Sequence, residues 1–281
     1  MSDDAFGAAA VPALGAHHLR TSRAVGSTAR GFLNFVGGLA ILAAFWWVGG
    51  YLLSVNPETK SFAGFGLAPT LLAFPELWQL GKIQNAAAAS GYRLGAGLLI
   101  AIAIGVPLGI LMGRSKRFRE LSNSPFQFLR MISPLTWMPL AVLVFAKWNH
   151  SIIFLIATAS VWPVAFATAA GLAKVDPAWF KVARNLGAKP AHMLTQIIVP
   201  AISFDIFTGI RLALGVAWIV LVPAELLGVT SGLGYAIKDA RETLSYHHLT
   251  AMVLTIGIIG YFLDSACVLL IKRFSWHRGD A

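Results

Sequence analysis

Three stretches of this chain run for twenty residues or more without a charge: 32–53 (FLNFVGGLAILAAFWWVGGYLL), 94–113 (LGAGLLIAIAIGVPLGILMG) and 151–173 (SIIFLIATASVWPVAFATAAGLA). Runs of that length can cross a bilayer, where only a helix or a closed barrel satisfies every backbone N–H and C=O. The rest of the chain offers little polar surface in which to bury three such helices. Asp, Glu, Lys and Arg make up only 12% of it, against about 25% in soluble domains. Residues 249–271 form a fourth run interrupted only by Asp264. Two weaker runs, 125–146 and 206–227, carry Arg130 in the first, and Arg211 and Glu225 in the second. The sequence predicts an all-α membrane protein with six transmembrane helices.

A net charge of +10 raises the question of nucleic acid, and its distribution answers it. Six spans put both termini on one side. Lys and Arg number fifteen on the side holding both tails, the 114–130 loop and the 174–199 segment. They number five on the other: Lys60, Lys82, Lys147, Lys238 and Arg241. This is the positive-inside asymmetry; both termini are expected in the cytoplasm, with membrane lipid and no nucleic acid among the partners. Residues 1–31 read as a disordered cytoplasmic tail, 32–53 as the first span and 54–90 as an extracytoplasmic loop with a short interfacial helix near Leu71–Leu80. The membrane core is expected over 91–273, and a second cytoplasmic tail over 274–281. The first run is longer than the 7–15 apolar residues of a signal peptide, so it is expected to remain as an anchor. Cys267 is the single cysteine and excludes an intramolecular disulfide.

Within the spans, Gly105, Gly109 and Gly113 recur every fourth residue, a small-residue face that lets helices approach closely. Pro107 among them is expected to kink that helix. Ser133, Pro134, Thr136, Trp137 and Pro139 (SPLTWMP) interrupt the third run. Irregular backbone at membrane depth survives only where protein or a water-filled cavity covers it. Ser133, Thr136 and Trp137 are therefore candidates to line a path, with Arg211, Trp218 and Glu225 on the fifth span. Arg211 and Asp264 both fall toward the cytoplasmic ends of their helices, and Arg93 and Glu225 toward the outer ends. Each two are expected to pair; the alternative is that Arg93 or Arg211 meets a passing anion. His247 and His248, like His17 and His18, are neighbours. Adjacent side chains point in different directions, so no metal site is expected there without further ligands.

The segment 174–200, KVDPAWFKVARNLGAKPAHMLTQIIVP, reads as two short helices joined at a glycine. Asp176 before Pro177 is an N-cap followed by proline at the first helical position. Gly187 is suited to the left-handed conformation that ends a helix, and Pro190 opens a second helix expected to end near Val199. Helices this short are marginal alone in water. Trp179, Phe180, Val182, Leu186, Met193, Leu194, Ile197 and Ile198 exceed what the hairpin can bury in itself, so a cytoplasmic partner surface, or alternatively the protein's own membrane face, is expected to cover them.

Gly187 followed by Ile197, Val199 and Pro200 has the spacing of the coupling loop of ATP-binding-cassette importer permeases, which the chain resembles from about Ala68 to Phe274. That loop reads Glu-Ala-Ala, three residues, Gly, nine residues, Ile, any residue, Leu-Pro. Lys181, Val182 and Ala183 occupy the Glu-Ala-Ala positions, so only the second alanine is retained. TGIRLALGVAWIVLVPAELLG and Gly232-Leu233-Gly234 resemble the nitrate/sulfonate/bicarbonate branch; LRMISPLTWMPLAVLVF is closer to the nitrate and bicarbonate members, and GLGYAIKDARE suits sulfonate and taurine members equally. The resemblance implies a type I importer permease fold in a bacterial inner membrane, with a cytoplasmic coupling-helix hairpin. It assigns contact with the ATPase to Lys181, Ala183, Arg184, Gly187, Ala188, Lys189 and Pro190. It also implies cytoplasmic ATPase subunits, a second copy of the chain and an extracytoplasmic substrate-binding protein as partners. The implied cargo is a small anion, nitrate or bicarbonate first and sulfonate or taurine next.

The chain lacks a G-x-x-x-x-G-K-[ST] phosphate loop; the nearest string, GILMGRSK, has Arg114 at the lysine position. No nucleophile–base set, zinc spacing or paired-carboxylate site is evident. The chain is expected to be no enzyme and to bind no cofactor, with ATP and Mg on the partner ATPases. The competing reading is a gradient-driven transporter or channel using Asp264 and Glu225.

Overall fold

The computed structural model describes residues 16–274, and side chains for 33–273. Its regular elements among the described residues are all helical, and it divides into two units, Met1–Ala68 and Pro69–Ala281. Of the tail expected to be disordered over 1–31, residues 1–15 lie outside the described residues, whereas 16–31 are helical and open the first helix; of 274–281 only Phe274 is described, as a helix end.

In the first unit, α1 (Ala16–Val55) carries the uncharged run. A 3-10 turn at Lys60–Phe65 folds back on it: Trp46 Nε1 donates to Phe65 O at 2.7 Å, and Thr59 Oγ1 to Leu53 O at 3.1 Å. Gly50 permits this return, because a Cβ there would lie 2.6 Å from Gly66 Cα.

All but the first two residues of α2 (Leu67–Gln79) belong to the second unit, with α3 (Lys82–Arg114), α4 (Lys116–Met131), α5 (Met138–Val144) and α6 (Trp148–Ala173). There follow α7 (Pro177–Asn185), α8 (Pro190–His192), α9 (Val199–Gly228), α10 (Leu233–Glu242) and α11 (Tyr246–Phe274). The helix expected near Leu71–Leu80 is present as α2. Helix α3 begins at Lys82, inside the stretch expected to be loop. Ile83, Ala86, Ser90, Arg93, Leu94 and Gly97 are buried on one side of it, and the alanines at 86–89 are strong helix formers. At 1.5 Å per residue α3 is about 50 Å long, so it extends beyond a hydrocarbon core of about 30 Å.

Helix α6 is the centre of the bundle, packed between α3 and α9. The glycines of α3 set the register: a Cβ at Gly105 would meet Val164, at Gly109 Thr168, and at Gly113 Leu172. Both numbers rise together, so α3 and α6 run parallel. Parallel neighbours require the chain between them to return across the bundle, so α4 and α5 taken together as one crossing give six candidate spans among the described residues. That crossing is not the straight helix the sequence suggested. Its two parts meet at an 85° bend around the 3-10 turn Pro134–Trp137, where Pro134 and Pro139 cannot donate to the helical ladder.

Helix α9 is antiparallel to α6, with Gly209 against Ala167 and Asp205 against Gly171. Helix α11 is antiparallel to α9, with Gly260 against the Trp218 indole. The start of α3, the end of α9 and the start of α11 therefore share one end of the bundle. The 174–199 hairpin occupies the other. The second hairpin helix does not stop at Val199 as expected. It passes through a π turn, Met193–Ile198, and continues as α9. Pro200 lacks an N–H, and the wider π turn takes up the mismatch without a break.

Candidate functional site

The hairpin is built from its caps inward. Asp176 Oδ1 accepts from Ala178 N at 2.8 Å, closing the first turn of α7. Gly187 adopts φ +77°, and its neighbours Leu186 and Ala188 donate backbone N–H to Val182 and Ala183 carbonyls at 3.0 Å each. Ala183 is buried against Leu172, Met193, Ile198 and Ile202, so one face of α7 is fixed to the ends of α6 and α9. The opposite face presents Trp179 (59% exposed), Val182 (57%) and Leu186 (82%), spaced three and four residues apart as one helical stripe. Lys181, Arg184, Lys189 and Pro190 surround it and are exposed. At the root, Lys174 Nζ reaches Asp205 Oδ1 at 2.8 Å across the α6–α9 junction. The hairpin is therefore tied to both helices.

The bend between α4 and α5 opens onto a cavity of about 760 Å³, lined by Arg130, Trp137, Phe154, Thr158, Trp162 and Phe166 among others. Trp162 stacks obliquely on Phe126 at 5.4 Å and on Phe166 at 6.4 Å. The Arg130 guanidinium lies 5.6 Å from the Phe166 centroid, within cation–π range. The cavity thus combines a broad apolar wall with one cation at its rim.

Of the residues expected on a path, Trp137 lines this cavity. Ser133 and Thr136 belong to the same bend, where Thr136 Oγ1 donates to Ser133 O at 2.7 Å. Arg211, Trp218 and Glu225 are not in the lining. Arg211 instead forms a bidentate pair with Asp264, at 2.7 and 2.8 Å, as the sequence anticipated. Trp218 packs on Gly260.

Glu225 is fully buried in the second anticipated pair, 2.5 Å from Arg93 Nη1. Ser90 Oγ donates to its carboxylate at 2.8–2.9 Å and Gly234 N at 2.9 Å. Arg93 also donates to Asn149 Oδ1 at 2.9 Å, Ser231 O at 2.8 Å and Ser231 Oγ at 2.7 Å. Gly232 and Gly234 close over this knot: Gly232 has φ +107°, and a Cβ on either would strike Glu225. The knot ties α3, α6, α9 and the α9–α10 loop together at the end opposite the hairpin.

Sequence reasoning missed Ser90, Asn149, Ser231 and Asp205, and did not count Arg130, a charge near one end of the third run, among the path residues. Ser90 and Arg93, three apart on a helix, were the available hint.

Residues 105–276 match the family described as binding-protein-dependent transport system inner membrane component. The taurine transport system permease protein TauC of Escherichia coli is 33% identical over 244 residues, 86% of this chain and 89% of its own. The bicarbonate transport system permease protein CmpB of Synechococcus elongatus is 35% identical over 63% of this chain and 64% of its own. Among solved structures, the inward-facing MetNI methionine ABC transporter superposes with a TM-score of 0.60 at 15% identity. That match covers 72% of this chain and 99% of the other, a likeness of fold.

Proposed function

The chain belongs to the binding-protein-dependent transport system inner membrane components, and on that footing we propose that it is the membrane subunit of an ATP-driven importer for a small organic anion. The observation that carries the coupling role is the Trp179–Val182–Leu186 stripe on a capped hairpin rooted in two spans. An exposed apolar face of that kind on a folded hairpin calls for a protein groove, which a cytoplasmic ATPase with its ATP and Mg would supply. Closure of two ATPases would push α7, and the Lys174–Asp205 root would pass the motion to α6 and α9. In this reading both termini are cytoplasmic, and a binding protein delivers cargo at the knot end.

A second copy completes the path. Phe204, Arg211, Leu212, Gly215 and Ile219 form an exposed stripe on α9, and the Arg211–Asp264 pair on it is 44% and 51% exposed. Charges at membrane depth face protein or a water-filled cavity, rarely lipid. A C2 partner would provide that cover.

For the cargo, the cavity favours a sulfonate over nitrate or bicarbonate, reversing the order suggested by the sequence. Trp137, Trp162 and Phe166 offer contact to an organic body, whereas a bare inorganic anion would lose water there for a single cation, Arg130. The gradient-driven alternative is disfavoured, since Asp264 and Glu225 are both held in ion pairs.

The test is purification of the tagged chain from its native membrane, alone and as Gly187→Val. A phosphate-loop ATPase should accompany the wild type and be lost from the variant. In proteoliposomes with the binding protein, taurine should stimulate ATP hydrolysis more than nitrate or bicarbonate. A chain that purifies alone and still moves solute defeats the coupling reading; stronger stimulation by nitrate defeats the sulfonate one.

A further inference from the structure

We propose that Glu76, His247 and His248 form a site for one divalent transition-metal ion that fastens α2 to the start of α11. Sequence adjacency alone would turn the two imidazoles apart. In the fold their ring centroids lie 4.3 Å from each other, and α2 brings Glu76 to them. One ligand atom from each of the three lies within 4.8 Å of the others.

The spacing suits two ligands of one ion. His248 Nε2 and Glu76 Oε2 are 3.3 Å apart. Two donors bound at about 2.0–2.1 Å to one tetrahedral ion stand about 3.3–3.4 Å apart. Yet His248 Nε2 is shielded from solvent and has no hydrogen-bond partner. Buried polar atoms are normally partnered, and a shared ion would supply the partner here. His247, on a half-buried ring, offers a nitrogen as the third ligand atom, within 4.8 Å of the other two.

Two imidazoles and a carboxylate suit Zn²⁺ or its transition-metal neighbours, whereas Ca²⁺ and Mg²⁺ prefer oxygen ligands. Three protein ligands leave a fourth position for water. Glu76 is 56% exposed, so the ion enters directly from solution. The nearby cation, Lys82, is matched by Asp239 at 3.9 Å, both lining the small cavity beside His248.

The mechanical consequence follows from how α2 is otherwise held. It meets α11 through the Thr70–Thr250 hydroxyl contact at 2.6 Å and through Ala73 and Leu77 against Ala251 and Met252. A metal bridge one turn further along would hold α2 against the start of α11, at the same end as the Arg93–Glu225 knot.

The experiment uses the full-length chain with a tag free of histidine, in detergent, stripped with a chelator and titrated with Zn²⁺ against a chromophoric competitor. Wild type should bind one equivalent more tightly than Glu76→Gln, His247→Ala or His248→Ala. Removing outer-shell partners already costs about 10–100-fold in metal affinity, so losing a ligand should cost at least about tenfold. Zn²⁺ should also raise the melting temperature of wild type and leave that of the variants unchanged. Should His248→Ala not fold, the exposed Glu76→Gln and the half-buried His247→Ala carry the test. Equal Zn²⁺ affinity and stoichiometry in wild type and variants, meaning an adventitious ion only at the other histidines, overturns the proposal. So does an equal melting shift with Mg²⁺.

Discussion

Replacing Arg93 by Met removes the hub of the buried knot while keeping much of its volume. The wild-type guanidinium donates to Glu225, Asn149 and twice to Ser231 at 2.5–2.9 Å, with side-chain exposures of 2% for Arg93 and 0% for Glu225. Breaking one side of a buried pair leaves an uncompensated charge and costs about 3–5 kcal/mol. In chains of 150–250 residues about 2–4 °C of melting temperature accompanies each kcal/mol, so Arg93→Met should melt about 6–20 °C below wild type. Adding Glu225→Gln removes the stranded carboxylate, and the double variant should recover a substantial part of that loss. The assay is fluorescence-detected size exclusion of detergent-solubilised protein after stepwise heating, with both single variants and the double. A melting point for Arg93→Met within about 2 °C of wild type would refute the reasoning. So would a double variant whose loss equals the sum of the singles, since residues in one network should couple.

Gly109→Val should destabilise the α3–α6 interface, because a Cβ there meets Ala165 O and the Thr168 side chain. The expected cost is at least about 1–3 kcal/mol, read in the same heating assay; a variant as stable as wild type contradicts the close approach. Arg211→Ala should lower the yield of folded protein more than it alters anion dependence, since its guanidinium is committed to Asp264; normal expression with changed anion preference speaks against this. Arg130→Gln should leave ATPase co-purification intact while weakening anion-stimulated hydrolysis, and unchanged stimulation would remove Arg130 from the path.

Much of this was legible in local pattern. Uncharged runs of twenty residues marked the spans because a buried backbone has no other way to satisfy itself. Asp176-Pro177 and Gly187 marked the hairpin because caps and left-handed turns depend on single residues. Charges placed at matching depths even identified the pairs Arg93–Glu225 and Arg211–Asp264. Boundaries were less legible: α3 starts within the expected loop, and the π turn carries the second hairpin helix past Pro200. Both departures depend on what the helices pack against.

The sequence by itself determined a six-span helical protein with a polar hairpin, because hydrophobic length, capping and charge bias act within one helix or at its ends. Only the tertiary structure decided what those helices enclose. Ser90 and Glu225 are 135 residues apart, Glu76 lies far along the chain from His247, and Arg130 meets Phe166 only through the α4–α5 bend. Such contacts follow from helix register and direction, which here rest on a few glycines and their partners: Gly105 on Val164, Gly109 on Thr168, Gly260 on Trp218. No periodicity within a single helix encodes which neighbour it will meet.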